Sequence, residues 1–236
     1  MSGRWWKLSS AETPAAAVIV AGGTGRRLGG GLPKQYRELS GQPILLRAIR
    51  PFLDHPRIGS VVVVIPAGDV LAPPAWLLAV PVLIVAGGET RSDSVRIGTL
   101  ATPPSAEIVL VHDGARPFVP RAVIDRVLEA ARHGAVIAAL PLADTLKEVE
   151  EDGFVRSTPD RTHLWQAQTP QGFPRPLLLG VHRRALADGI GATDDAALCE
   201  RYGIPVRIVE GAPENLKVTH PADLLIAGAL ARGLLP

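Results

Sequence analysis

A glycine-rich segment near the start of the chain combines backbone freedom with positive charge. Gly22, Gly23 and Gly25 follow the first apolar run, and Arg27 and Lys34 come shortly after them. Glycines let a backbone approach a phosphate closely and turn its N–H groups toward it. An arginine can bind two phosphate oxygens at once, and a lysine supplies a compact charge. The segment therefore indicates a phosphate-binding loop, although glycine spacing alone also fits an ordinary surface loop.

Two common phosphate-binding loops do not fit this segment. A Walker A loop requires a Gly-Lys pair, which the segment does not contain. A dinucleotide fingerprint requires an early helix and an acidic residue after the second strand, but residues 29–33 oppose that helix and 66–68 are Pro-Ala-Gly. A nucleotidyltransferase loop remains, in which a later Pro-Lys pair returns a cation to the phosphates. The three glycines at 29–31 predict that this loop is mobile in the free protein.

The elements that must position these residues follow from the apolar pattern. Most apolar runs are continuous rather than alternating, so both faces of the sheet should be buried. Strands are predicted at 15–20, 61–65, 82–85, 108–111, 136–140 and 206–209, and helices at 44–53, 120–132 and 221–230. This alternation predicts an α/β fold with a mostly parallel sheet and helices on both faces. The glycine-rich segment and Asp113 then lie at the carboxyl edge of the sheet, where ligands bind.

One segment interrupts the alternation. β-prone residues at 145–149 and 154–157 flank an Asp-Gly turn signal, which predicts a β-hairpin arm within 142–160. Because an isolated hairpin is only marginally stable in water, the arm predicts a homodimer in which it packs on the second subunit. A mobile surface hairpin is the alternative that spacing leaves open. Residues 1–13 are predicted to be a flexible extension, and 14–236 a single domain.

Composition argues against several other classes of protein. The chain has 25 Lys and Arg against 23 Asp and Glu, a balance that does not favour nucleic-acid binding. No apolar run reaches the roughly 18 residues that cross a bilayer, so no membrane association is expected. The single cysteine, Cys199, excludes an internal disulfide framework and fits a cytoplasmic protein. The histidines show no metal-ligand spacing, and His112 is predicted to be a packed strand residue.

A series of motifs in fixed order carries a resemblance to a known family. The motifs are Gly23-Thr-Gly-Arg-Arg-Leu, Pro33-Lys-Gln-Tyr, Gly87-Gly-Glu-Thr-Arg-Ser-Asp-Ser94, His112-Asp-Gly-Ala-Arg-Pro117, Asp144-Thr145, Asp160-Arg161, Leu164-Trp165, Gln168-Thr-Pro-Gln171, Thr193-Asp194 and Asn215-Leu-Lys-Val-Thr219. In this order they resemble the 2-C-methyl-D-erythritol 4-phosphate cytidylyltransferases of the non-mevalonate isoprenoid pathway. The likeness extends from about residue 15 to about residue 223.

The resemblance implies a Rossmann-like nucleotidyltransferase fold and a reaction. The phosphate of the polyol phosphate would attack the α-phosphorus of CTP, with Mg²⁺ as cofactor. Arg27 and Lys34 would be the catalytic cations, and Asp113 would hold the metal. Position alone leaves Asp113 equally suited to capping a turn.

The resemblance also implies a set of substrate-binding residues. These are Ala21, Gly22, Gly23, Gly25, Gly87, Ser94, Asp113, Arg116, Thr145, Arg161, Thr169 and Lys217. Ser94 could instead begin a helix as its N-cap, and Arg91 receives no firm role. Because Thr145 and Arg161 bracket the arm, a dimer would share each acceptor pocket between subunits.

Alternative functions remain at this point. A ribitol-5-phosphate cytidylyltransferase would differ only in the acceptor pocket. A non-catalytic nucleotide-sensing module would bind CTP without releasing pyrophosphate, and it would not explain why Lys34 and Arg161 occur together. A Rossmann dehydrogenase is disfavoured because the acidic residue is missing.

Overall fold

The computed structural model describes residues 15–23 and 33–234 of the chain. The strands are β1 (Ala15–Val20), β2 (Glu38–Leu39), β3 (Gln42–Pro43), β4 (Ile58–Ile65), β5 (Leu83–Ala86), β6 (Ile108–Asp113), β7 (Ala135–Pro141), β8 (Glu148–Val149), β9 (Val155–Ser157), β10 (Trp165–Pro174) and β11 (Val206–Glu210). The helices are α1 (Ile44–Leu53), α2 (Ala75–Leu78), α3 (Arg91–Ala101), α4 (Arg121–Ala131), α5 (Arg175–Ala187), α6 (Asp195–Arg201) and α7 (Pro221–Ala231). Among the residues described, no helix has the length and apolar character needed to cross a bilayer.

The central sheet confirms the predicted α/β fold. Within the described ranges it has seven strands in the order β11-β7-β10-β6-β1-β4-β5. The pairs β1–β4, β1–β6, β4–β5 and β7–β11 are parallel, whereas β10 runs antiparallel between β6 and β7. The carboxyl ends of β1, β4, β5 and β6 therefore meet at one edge, which is the edge expected to bind ligands.

The strand β10 has no counterpart among the strands predicted from the sequence. Its central residues Gln168-Thr-Pro-Gln171 are polar or proline, which is the opposite of an apolar run. The register with β7 is interrupted between Ala167 and Gln171, so these residues leave the ladder and bulge at the carboxyl edge. Tertiary pairing with β6 and β7 thus overrides a local sequence that does not favour a strand.

The sheet is buried on both faces, which explains the continuous apolar runs. Ile19 of β1 packs in a cluster with side chains of α1 and α4. Val18, the preceding residue, points to the other face and packs with side chains of α3, α5 and α6. The predicted bounds of α1 coincide with the observed helix, and those of α4 and α7 agree to within one residue.

The start of α3 corrects one alternative for Ser94. The N-cap is Thr90, whose Oγ1 accepts a hydrogen bond of 3.0 Å from the backbone N–H of Asp93. The Asp93 carboxylate in turn accepts from the N–H of Thr90, which completes a capping box. Ser94 therefore lies inside the helix and does not begin it.

The predicted hairpin arm is present as β8 and β9. Val149 pairs with Val155, and Gly153 closes the turn at a φ of 89°, where glycine is favoured. The N–H of Leu142 donates to the carbonyl of Leu164 at 3.0 Å, so the two ends of the arm meet beside β7 and β10. The predicted extension at 1–13 and the predicted mobility at 29–31 concern residues outside the described ranges.

Replacing Gly98 with alanine should destabilise the fold. Its Cβ would lie 2.5 Å from Cγ1 of Val18 and 2.8 Å from Cγ2 of Val64. Overpacking of this kind costs roughly 1–3 kcal/mol of unfolding free energy, which a denaturant titration would measure.

Gly180→Ala is the matched control, because Gly180 also lies within a helix. No atom elsewhere in the described chain lies within 4 Å of its Cβ position. This variant should be as stable as the parent, or more stable by about 0.5–1 kcal/mol. Equal stabilities for the two variants would contradict the close packing of α3 on β1 and β4.

Candidate functional site

A cavity of about 360 Å³ opens at the carboxyl ends of β1, β5 and β6. Backbone hydrogen bonds hold the segments that follow these strands: the N–H of Ala21 donates to Val64, and that of Gly114 donates to Val20. The predicted site residues that line the cavity are Ala21, Gly22, Gly23, Lys34, Ser94, Asp113 and Lys217. Residues that are far apart in sequence therefore meet at the carboxyl edge of the sheet.

Ser94 shapes the segment that follows β5. Its Oγ donates to the carbonyl of Thr90 at 3.0 Å and accepts from the N–H of Gly88 at 3.2 Å. A Cβ on Gly87 would lie 2.9 Å from this oxygen, and a Cβ on Gly88 would lie 2.4 Å from Cβ of Asp93, so a side chain at either position would force its neighbours to shift. The two glycines thus let the backbone run directly over the start of α3 beside the cavity.

Asp113, the last residue of β6, is the carboxylate at the centre of the site. It is only 9% exposed. Its Oδ2 lies 2.7 Å from Nζ of Lys217, and its Oδ1 lies 3.5 Å from Nε of Arg91. Burial by itself would raise the pKa of Asp113, but the charges of Arg91 and Lys217 outweigh burial and hold this pKa well below its usual range. The carboxyl group is therefore ionised when the cavity receives a ligand.

Arg91 is held from its other side by a second buried carboxylate. Its Nη1 lies 2.9 Å from Oδ2 of Asp195, the first residue of α6. Sequence reasoning assigned no role to Asp195 and no firm role to Arg91. The motif Thr193-Asp194 drew attention to this part of the chain, but no pattern connects residues 91 and 195 before the chain folds.

A smaller cavity of about 150 Å³ adjoins the first. It shares Arg91, Asp113 and Lys217 with the larger cavity and adds the predicted residues Arg116 and Thr169. Nη1 of Arg116 donates to the carbonyl of Asn215 at 2.7 Å. The two cavities therefore meet at the ion-paired Asp113.

Hydrogen bonds determine the orientation of Thr169 and His112. Nε2 of His112 lies 3.1 Å from the carbonyl of Arg116, which can only accept, so Nε2 carries the proton. Nδ1 then accepts from the Thr169 hydroxyl at 2.9 Å, while Thr169 Oγ1 accepts from the N–H of Asp113 at 3.1 Å. The hydroxyl proton of Thr169 is directed at His112, so only an oxygen lone pair faces other partners. His112 is fully buried in β6, as predicted for a packed strand residue.

Buried amide side chains, which sequence reasoning did not single out as site residues, connect β10 to the loop that carries Lys217. Nε2 of Gln168 donates to the carbonyl of Ala212 at 2.9 Å, and its Oε1 accepts from the Ala212 N–H and from Nδ2 of Asn215. Nδ2 of Asn215 also donates to the carbonyl of Thr169 at 2.7 Å. The sequence motifs that begin at Gln168 and at Asn215 pointed to both segments, but they did not indicate that the two side chains touch.

Some predicted residues lie elsewhere. Thr145 and Arg161 lie near the two ends of the arm, are exposed, and line neither of the two cavities formed by the described residues. A side-chain N–H of Arg161 donates to the carbonyl of Ala143 at the base of the arm. Gly25 and Arg27 lie outside the described residues, so their assignments stay predictions.

The donor set fits one kind of metal site. Among the described residues, no group of three or more His, Cys, Asp or Glu side chains could enclose a metal ion. Asp113 offers one ionised carboxylate that faces both cavities. This matches the usual binding of Mg²⁺, which takes one or two carboxylates and completes its shell with water and substrate phosphates.

Comparisons of sequence match the chain to a family over nearly all of its length. A family model for 2-C-methyl-D-erythritol 4-phosphate cytidylyltransferase matches residues 15–232. A protein of that name from Symbiobacterium thermophilum is 45% identical over 222 residues, which cover 93% of this chain and 93% of the relative. Another from Frankia casuarinae is 45% identical over 230 residues, which cover 97% of this chain and 85% of the relative.

Solved structures are similar over nearly the same length. The crystal structure of 2-C-methyl-D-erythritol 4-phosphate cytidylyltransferase from Thermus thermophilus has a TM-score of 0.80 and 37% identity, covering 94% of this chain and 100% of that one. The 4-diphosphocytidyl-2C-methyl-D-erythritol synthase of Anaerococcus prevotii has a TM-score of 0.82 and 31% identity, covering 93% of this chain and 96% of that one.

The burial of His112 predicts how stability depends on pH. Burial is the main cause that lowers the pKa of His112 from 6.5 to about 4. The folded protein keeps this ring neutral while the unfolded chain takes up a proton as the pH falls below about 6.5. The contribution of His112 to the free energy of unfolding is therefore fully present above pH 6.5 and decreases as the pH falls toward 4. Between pH 7 and pH 5 the loss from this residue should approach roughly 2 kcal/mol.

The measurement is the free energy of unfolding in denaturant at pH 7, 6 and 5, for the parent and for His112→Gln. The variant should be less stable at pH 7 and should show a shallower decrease with falling pH. His55, whose pKa is also lowered mainly by burial, leaves a residual slope in both proteins. Identical slopes would contradict a neutral, buried His112.

Proposed function

The chain belongs to the 2-C-methyl-D-erythritol 4-phosphate cytidylyltransferase family, and on that premise we propose which of its residues perform each part of the reaction. The protein transfers CMP from CTP to 2-C-methyl-D-erythritol 4-phosphate, giving 4-diphosphocytidyl-2-C-methyl-D-erythritol and pyrophosphate. An oxygen of the polyol phosphate bonds to the α-phosphorus of CTP. The bond from this phosphorus to the β-phosphate oxygen breaks, and pyrophosphate leaves with the electron pair.

The obstacle to this reaction is that two anions must approach each other. The charge is spread over non-bridging oxygens in the transition state, so fixed cations at the point of attack lower the barrier. The single observation that carries the proposal is the ion-paired Asp113, with Lys217 at 2.7 Å and Arg91 at 3.5 Å, where the two cavities meet. An incoming phosphate finds positive charge there that is already in position.

The two cavities suggest how the substrates are arranged. The larger one, at about 360 Å³, falls within the range of small-molecule sites and is lined by the backbone of 21–23 and by Ser94. We assign the nucleotide to it, with Gly87 and Gly88 allowing close approach of the backbone. The smaller cavity holds Arg116 and Lys217, which suit the acceptor phosphate, and Thr169, whose remaining oxygen lone pair suits a polyol hydroxyl. This arrangement directs the acceptor phosphate toward the α-phosphorus across Asp113.

Asp113 is the proposed Mg²⁺ ligand. When bound, the metal supplies positive charge that neutralises phosphate oxygens and aligns the triphosphate. Lys217 holds the carboxylate in place at 2.7 Å and neutralises it until the substrates enter. The other ligands would be phosphate oxygens and water, since the described residues contain no group of three or more His, Cys, Asp or Glu side chains that could hold the ion.

Lys34 is the proposed catalytic cation on the nucleotide side. It lines the larger cavity, and its Nζ lies 3.4 Å from the carbonyl of Val218, next to Lys217. Lys34 and Lys217 therefore approach the phosphates from neighbouring positions. Arg27 and Gly25, which the family resemblance places beside the triphosphate, remain part of the proposal on sequence grounds alone.

The alternative functions receive no support from the comparisons. The matching family model and the named relatives all specify methylerythritol phosphate rather than ribitol 5-phosphate. A nucleotide-sensing module or a dehydrogenase would not account for a match over residues 15–232 to a family of cytidylyltransferases.

Removing the charge of Asp113 tests the proposed site. Asp113→Asn keeps the side-chain shape but loses the metal ligand and the counter-charge for Lys217, so kcat for pyrophosphate release should fall by a factor of about 10² or more. The assay uses CTP, methylerythritol phosphate and Mg²⁺. Asp54→Asn, an exposed carboxylate at the end of α1, is the control and should keep the parent rate. An Asp113→Asn variant as fast as the parent would remove Asp113 from the mechanism.

The arm is the proposed dimer contact. In the described residues it exposes an unusual concentration of large apolar side chains, with Phe154 at 74%, Val155 at 58% and Val149 at 54% exposure. Contiguous apolar surface of this kind marks interaction sites. We propose that each arm packs on a second copy of the chain and carries Thr145 and Arg161 to the acceptor cavity of that copy. This accounts for their exposed positions away from both cavities within one chain.

Complementation between two inactive variants tests the shared site. A heterodimer of Asp113→Asn and Arg161→Ala subunits has one site with both residues intact, so mixed refolding should restore about a quarter of the parental activity. Asp113→Asn mixed with Lys217→Met is the control. Asp113 and Lys217 line the cavities of one and the same chain, so every site in this mixture carries one of the two substitutions. Activity should therefore stay low. Failure of the first mixture to regain activity, or a monomer by light scattering, would contradict the shared site.

A further inference from the structure

Asp195 and His182 form a buried pair behind Arg91, away from the reacting groups. Both residues are at most 2% exposed. Oδ1 of Asp195 lies 3.0 Å from Nε2 of His182, and Oδ2 lies 2.9 Å from Nη1 of Arg91. The Asp195 carboxylate thus connects α5, α6 and α3. Two protein partners use its two oxygens, and one of these partners lines the reaction cavity.

The carboxylate of Asp195 is not required to cap its own helix. The backbone N–H groups of Asp195 and Ala196 donate to Oε1 of Gln171, at 3.1 and 3.2 Å. The N–H of Ala197 donates to the Asp194 side chain at 2.9 Å. The first N–H groups of α6 are therefore satisfied by other residues. This leaves the Asp195 carboxylate available for contacts outside α6.

His182 supports Arg91 by two routes. Its Nε2 faces the Asp195 carboxylate, which can only accept, so this nitrogen carries the hydrogen and donates the hydrogen bond. Its Nδ1 lies 3.2 Å from the hydroxyl of Ser92, the residue that follows Arg91 in α3. His182 therefore contacts both the carboxylate that binds the guanidinium and the side chain of the residue that follows Arg91.

The electrostatics of Arg91 agree with this arrangement. Burial would lower its pKa, but Asp195 first and Asp113 second raise the pKa above its ordinary value, so Arg91 stays charged. Asp195 makes the closer contact, at 2.9 Å against 3.5 Å for Asp113. The guanidinium is therefore directed by Asp195, with its Nε edge toward Asp113 and the cavity.

We propose that Asp195, supported by His182, is a positioning residue for the cytidylyl transfer, which acts by fixing the direction of the Arg91 guanidinium. Without this anchor Arg91 could fold fully onto Asp113 or be drawn along the triphosphate, because both are anionic. With the anchor, Arg91 offers charge from one fixed direction, and the Asp113 carboxylate keeps its place. This inference rests on the proposed role of Arg91 in the site.

A double-mutant cycle separates positioning from a purely structural role. The rates to measure are kcat and kcat/KM for pyrophosphate release in the parent, Asp195→Asn, Arg91→Ala and the double variant. If Asp195 acts through Arg91, Asp195→Asn should lower kcat about tenfold in the parent but less than about twofold when Arg91 is already absent. A residue that only stabilises the fold would cause the same loss in both backgrounds.

The same cycle with His182→Gln in place of Asp195→Asn is a second, independent test. If Asp195→Asn does not fold, the His182→Gln cycle decides between positioning and a purely structural role by the same criterion. Asp188→Asn, at the exposed end of α5, is the control for loss of one acidic charge and should keep the parental kcat. Equal losses in both backgrounds would overturn the positioning role while leaving the proposed function in place. If Arg91→Ala kept the parental kcat, Arg91 would have no part in the proposed site, and the positioning role of Asp195 would be overturned with it.

Discussion

The carboxylate of Asp113 is shared between Lys217 at 2.7 Å and Arg91 at 3.5 Å while only 9% of the residue is exposed. An isolated carboxylate at this depth would be strongly unfavourable, so Asp113 is stable as an anion in this position because the two cations are present. The same balance prepares the site for its substrates. Phosphate oxygens that enter the cavities can replace one anionic partner with another, so the cations need not be newly ordered.

This constraint requires that the irregular segment that carries Lys217 is held in place by specific hydrogen bonds. Lys217 lies in the segment between β11 and α7, which has no helix or strand of its own. Gln168 and Asn215 hold this segment against β10, and the N–H of Val218 donates to the carbonyl of Ala115 at 2.8 Å. Buried amide groups that satisfy each other in this way rigidify a loop without adding charge. The ammonium group of Lys217 is thereby delivered to a defined point on the sheet edge.

The antiparallel strand β10 has a comparable effect on the acceptor side. Its bulge between Ala167 and Gln171 places Thr169 against His112, and Gln171 also anchors the start of α6. One irregular strand therefore orients the residues on both sides of Asp113. The arm begins where β7 ends and returns into β10, so its proposed dimer contact lies at the same edge as the reaction site.

The sequence alone determined the fold class, the parallel strands and the approximate position of the site. Continuous apolar runs such as Ala15–Val20 specify buried parallel strands, and parallel strands end at a common edge. The hairpin turn at Asp152-Gly153 and the helix at Ile44–Leu53 were equally local signals. These features could be predicted because their causes lie within a few residues of each other.

Tertiary structure alone decided which charged and polar side chains meet. The strand β10 is polar and contains prolines, so only pairing with β6 and β7 makes it a strand. Ser94 lies inside α3 because Thr90 caps the helix, and Arg91 is oriented by Asp195, which is 104 positions away. Such contacts depend on which distant segments the packed core brings together. The spacing of residues within a short stretch of sequence does not encode which distant residues will meet.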